Sequence, residues 1–216
     1  MQSQPLSLTD KAYQIVEEMI VTLALPPGRV FSENELSQEI QIGRTPLREA
    51  LQRLAHEGLV RVMPRRGMMI TEINAAGHFS ILETRRVIDR LMVHRAAQRA
   101  TTAQRSNLKG FAAGILIAAK AKDVDSFMRL DQACDAEIAL ASKNTVAAHA
   151  AAPLHTLCRR FWFAHQNIGD LMLSAKDHAT LLEAIAEGKA EAAVVASDHL
   201  IDYLEQFTRE ALHLAI

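Results

Sequence analysis

Apolar residues recur at intervals of three and four along most of the chain, which is the helical period. Ala12, Ile15, Met19 and Ile20 predict the inward face of a first helix. Ser7 and Asp10 resemble a capping box at its start, and Pro26-Pro27-Gly28 lies past its end. Ser32-Glu33-Asn34-Glu35 is a second capping box and opens a short helix to about Ile40. After the turn Gln41-Ile42-Gly43, Leu47, Ala50, Leu51 and Leu54 form the stripe of a third helix. Thr45 is expected to cap it, Pro46 to hold its first position, and Gly58 to stop it. Arg44, Arg48 and Gln52 fall four apart on its other side. Two short apolar runs, 59–63 and 68–73, flank Pro64-Arg65-Arg66-Gly67 and predict a hairpin. Residues 74–77 read as a linker. Beyond them no strand pattern occurs, and helices are expected at about 78–100, 104–121, 124–142, 145–166, 170–187 and 190–214, with Asp123 as a cap and Gly188 as a breaker. The predicted fold is mainly α: a winged helix-turn-helix domain at 1–75 and an all-helical antiparallel bundle at 76–216.

Composition agrees with that picture. Alanine and leucine abound while only 5% of the 216 residues are aromatic, which favours helix over strand. The net charge of −1 gives no global pull toward nucleic acid. Position matters more, because Arg44 to Arg66 holds six arginines against two glutamates. The polar start MQSQPLSLTD is unlike a secretory leader, and no apolar run reaches spanning length. Cys134 and Cys158 have no motif spacing and suit buried thiols in a reducing compartment, so a cytoplasmic location without membrane contact is expected.

A guanidinium can bond guanine O6 and N7 in a major groove, or a backbone phosphate. Taken alone, the third helix is equally an amphipathic helix with solvated arginines, and the hairpin a charged loop tip. The order helix, turn, arginine-bearing helix and basic-tipped hairpin is more specific than any one part, and it points to duplex DNA. The residues of this order resemble the winged-helix domain of the GntR family of bacterial transcription regulators. The matching stretches are Pro27-Gly28, Glu33 to Ser37, Gly43 to Leu51, Glu57 to Val60 and Arg65-Arg66-Gly67. The resemblance implies DNA contacts from Arg44, Thr45 and Arg48 on the recognition helix, and from Arg65, Arg66 and Gly67 on the wing. Gly43 stands where the family usually has Ser or Thr, and Asn34, a further candidate DNA contact, where FadR-type members often carry an arginine.

In the helical half, ionisable residues interrupt apolar stripes. Arg85 does so on the first bundle helix and Asp131 on the third, with Asp135 one turn on; His178 and His199 are expected inward on the fifth and sixth. Buried charges must be paired or bound. One reading is an internal network in which Arg85 pairs with Asp131; the other is a ligand pocket among the helices. Residues 78–207 resemble the all-helical effector domain of the FadR subfamily, termed FCD. That resemblance implies a divalent metal (Zn, Mn or Ni) on Asp131, Asp135, His178 and His199, and a small organic acid bound to it and to Arg85. Asp135 stands where the second ligand is normally His, and His199 falls one residue short of the usual distance from Gly188. His155, Arg159 or Arg160 could instead meet an anion directly, while a solvated face is the plainer expectation for the two arginines.

The function expected is an effector-responsive regulator, a repressor in most relatives, acting as a homodimer on operator DNA. The alternatives are a metal-dependent hydrolase or lyase fused to a DNA-binding head, and a DNA-binding protein whose helical half only dimerises. No phosphate loop, GxSxG or HExxH motif supports the enzyme.

Overall fold

A computed structural model describes residues 6–214. The chain divides into two compact units, one formed by residues up to Asn74 together with Arg159–Ala164, the other by Ala75–Cys158 and His165 onward.

In the first unit, α1 (Leu8–Val21) starts at Ser7, whose hydroxyl accepts from the Asp10 amide at 3.0 Å. Its buried face is Ala12, Tyr13, Val16 and Ile20. Ile15, expected inward, is 38% exposed, and Val16 takes its place. The strand β1 (Val30–Phe31) precedes α2 (Glu33–Glu39), which carries the expected capping box between Ser32 and Glu35. Next come α3 (Arg44–His56), β2 (Val60–Met63) and β3 (Gly67–Ile70). Two details of α3 differ from expectation. It begins at Arg44, and its N-cap is Gly43 with no side-chain hydrogen bond, so Thr45 lies inside the first turn rather than capping it. Its stripe is as read: Leu47, Ala50, Leu51 and Leu54 are all wholly buried.

The sheet runs β1-β3-β2, antiparallel throughout, with Val30 opposite Met69 and Val62 opposite Met68. The two-residue β1 was not anticipated, since so short a strand has no period to detect. It explains Gly67. That residue has φ +94°, and a Cβ there would collide with the Phe31 carbonyl oxygen, so the third strand itself demands a glycine at the wing's turn.

The second unit contains α4 (Ala75–Arg99), α5 (Thr102–Ala121), α6 (Val124–Ser142), α7 (Thr145–Ala164, less its last six residues), α8 (Leu171–Ala186) and α9 (Ala190–Leu214). The stretch expected as a linker is already the first turn of α4. Within this unit α4 packs on α6, α8 and α9, and α5 packs on α6 and α8. No helix is long and apolar enough to cross a membrane among the described residues.

Candidate functional site

The first candidate surface lies on the first unit. Asn34, Arg44, Thr45, Arg48, Arg65, Arg66 and Gly67 are all exposed, as residues meant to touch a partner must be. The burial of Leu47, Ala50, Leu51 and Leu54 turns Arg44 and Arg48 outward on α3. Arg48 is not unattended: its Nε and Nη2 donate to both carboxylate oxygens of Glu33, the shortest contact being 2.7 Å. Arg44 Nη1 donates weakly to Asn34 Oδ1 at 3.4 Å. Asn34 thus faces an arginine of α3. Arg65, at the tip of the hairpin, has φ +62°.

The second candidate site is a cavity inside the helical unit. Arg85, Asp89, Asp135, His155 and His178 line its polar side; Met92, Ile138, Leu182, Leu200 and Ile201 line its apolar side. Its volume is about 30 Å3, room for a few waters or a very small solute.

Its charges form a connected set. Arg85 does not pair with Asp131. Its Nε donates to Asp89 Oδ2 at 3.0 Å, one turn along α4, and both residues are 7% exposed. His155, from α7, stands between two carboxylates, with Nε2 2.8 Å from Asp89 Oδ1 and Nδ1 3.1 Å from Asp135 Oδ2. A carboxylate only accepts, so both ring nitrogens donate and His155 is an imidazolium. Burial opposes that charge, yet Asp135 and Asp89 push its pKa up to about 9. Burial also works against ionised Asp89, but Arg85 and His155 hold it below the usual carboxylate range. His178 donates from Nδ1 to the Ser174 carbonyl at 2.8 Å and faces Asp131 Oδ1 from Nε2 at 2.8 Å; despite burial, Asp131 raises its pKa.

The expected four-ligand set does not assemble. Asp131 and His178 do meet, and the Ser174 bond leaves Nε2 of His178 as the nitrogen nearest the carboxylate. Asp135 is held by His155 instead. His199 is exposed, and Leu200, the next residue, lines the cavity. That is the one-residue offset from Gly188 made visible, since one step turns a helix by about 100°. Among the described residues no group of three or more His, Cys, Asp or Glu is disposed to hold a metal. Arg159 and Arg160, expected on a solvated face, are 8% and 2% exposed. They cluster with the first unit, where Arg160 donates to Thr71. Asp89 is the site residue that sequence reasoning missed. Its only signal was the four-residue step from Arg85.

Comparison with known proteins settles the family. Residues 8–70 match the family of bacterial regulatory proteins called gntR, and residues 80–203 match the FCD domain. The chain is a GntR-family transcriptional regulator with an FCD domain. It is 29% identical over 211 residues to an uncharacterised HTH-type transcriptional regulator of Streptomyces ambofaciens, covering 93% of this chain and 85% of that one. It is 32% identical over 129 residues to the HTH-type transcriptional repressor RspR of Escherichia coli K12, covering 60% and 56% of the two chains. The solved structure of E. coli McbR/YncC has the same fold, with a TM-score of 0.83 at 17% identity over 96% of this chain and 100% of that one. This GntR-family chain is a regulator and not an enzyme.

Proposed function

We propose that this regulator is a cytoplasmic homodimeric repressor that binds a pseudo-palindromic operator and is released by a small carboxylate lodged beside Arg85. Two copies would place two α3 helices in successive major grooves, roughly 34–36 Å apart. In this reading Arg44, Thr45 and Arg48 meet bases and phosphates, and Arg65, Arg66 and Gly67 meet the backbone or the minor groove. The observation that carries the effector half is a cavity among the helices with a buried guanidinium in its wall. Its small volume favours an acid of a few heavy atoms over a fatty acyl chain. A relative that is named a repressor supports the sign of regulation.

The residues present fit a metal poorly. Of the four expected ligands only Asp131 and His178 meet, while Asp135 pairs with His155 and His199 is exposed. The reading therefore has the acid held without a metal, touching Arg85, while Arg85 and His155 together balance Asp89 and Asp135.

The test joins two measurements. Binding to promoter fragments from the source genome is followed with and without a panel of one- to four-carbon acids, and the same acids are screened by thermal shift. One acid should both stabilise the protein and release a specific fragment. A ligand at a hundred times its Kd contributes about 2.7 kcal/mol of stability. Specific DNA binding with no responsive acid would leave the helical unit as a dimerising element only.

A further inference from the structure

Arg48 is exposed on the outer face of α3, yet its charge is already engaged. Glu33, in the first turn of α2, accepts from Nε at 2.9 and 3.1 Å and from Nη2 at 2.7 Å. This is a side-on clasp, in which one edge of the planar fork is held and the opposite edge, Nη1 with the second Nη2 hydrogen, faces away from the carboxylate. The Arg48 side chain is 59% exposed and that of Glu33 25%. An exposed ion pair adds little to stability, so stability is a weak reason for the arrangement. Asn34, the next residue of α2, makes only a single long contact to Arg44 Nη1, at 3.4 Å.

We propose that Glu33 is a specificity-setting positioning residue, fixing Arg48 by one edge so that the other is presented to a single base and the cation is withheld from phosphates. The proposal rests on the reading of α3 as the helix that enters the groove. Two effects follow. A clasped guanidinium loses less freedom when it forms a bidentate bond with guanine. A neutralised one gains less from any sequence of phosphates, and since specificity is a difference of affinities, weaker binding to the wrong DNA counts as much as stronger binding to the right one.

The experiment is selection from a pool of randomised duplexes with the full-length protein, followed by salt titrations on a selected and a scrambled duplex. Wild type, Glu33→Gln, Glu33→Asp and Arg48→Ala are compared, each first checked for an unchanged melting curve. Wild type should enrich a guanine at one position of each half-site, and Arg48→Ala should lose it. Glu33→Gln should relax that same position and no other. It should also bind the scrambled duplex several-fold more tightly, with a salt slope steeper by about one. Glu33→Asp, with the charge but not the reach, should relax the position while keeping a slope nearer wild type. A Gln variant that selects the wild-type motif with the wild-type slope would overturn the proposal. If wild type enriches no motif at all, the groove reading of α3 fails, and the role of Glu33 with it.

Discussion

His78 is a buried imidazole with a cation for a neighbour. Burial, then Arg85 and His165, lower its pKa to about 4, so it is neutral in the folded protein across the physiological range. In the unfolded chain it takes up a proton near pH 6.5. The unfolded state thus binds more protons between those values, and stability falls as pH drops from about 6.5 to about 4, by about 3 kcal/mol from this group. Melting temperature against pH should show that acid arm, and His78→Leu should flatten it while the alkaline side is unchanged. An unaltered arm in the variant would place the sensitivity in other groups. Single residues are also where reading the sequence did best and worst. Leu47, Ala50, Leu51 and Leu54 stand out because every neighbour in α3 is polar or small. His199 was misplaced because the first turns of α9 are apolar on both faces: Val195 is 53% exposed, and a stripe drawn one residue off looks equally good there. Asp89 stayed hidden because a carboxylate four residues after an arginine normally marks a solvated face.

At the level of elements, boundaries held at several helix starts that a side chain enforces, though the Thr101–Gln104 capping box starts α5 two residues before the expected 104. Ser7, Ser32, Asp123 and Asp170 each accept from a first-turn amide of their helix, and such a cap is a local signal that the sequence displays. At the start of α4, Ala75 and Ala76 are good helix formers and carry the helix further back than expected. The junction of α4, α5 and α8 depends on a residue with no pattern at all. Arg105 donates to the carbonyls of Ala97 and Ala100 at the end of α4, and to those of Ile185 and Ala186 at the end of α8. One guanidinium so adds donors to carbonyls at two helix ends, although Ile185 O also accepts from the Gly188 amide, and its charge sits at the negative ends of two dipoles. Arg105→Ala should destabilise the protein by about 2 kcal/mol, the scale of charged hydrogen bonds lost where water can partly replace them. Urea unfolding followed by far-UV dichroism measures this directly. Arg105→Lys should recover only a fraction, because an ammonium cannot span both helix ends. Loss-free behaviour of the alanine variant would mean that the ends are held by other contacts.

For the molecule as a whole, the proposed regulation requires that the cavity and the DNA-binding surface report on each other and that no metal is needed, and two measurements test this. With the Asp131–His178 pair as the only converging donors of the expected set, chelator treatment should leave both acid binding and DNA binding unchanged. A stoichiometric ion on native mass analysis, lost in Asp131→Ala, would instead restore the metal to the site. The stronger test uses linkage. An acid that lowers operator affinity by a given factor must itself bind the operator complex more weakly by the same factor, because the coupling free energy belongs to the pair of equilibria and not to either ligand. A tenfold release corresponds to about 1.4 kcal/mol, well within what differential contacts around one buried guanidinium can supply. Calorimetric titration of the acid into free protein and into the protein–operator complex should therefore return affinities that differ by the factor seen in the DNA-binding assay. If the acid binds equally well with and without operator, it has no preference between the two states and cannot be the signal, however tightly it sits beside Arg85.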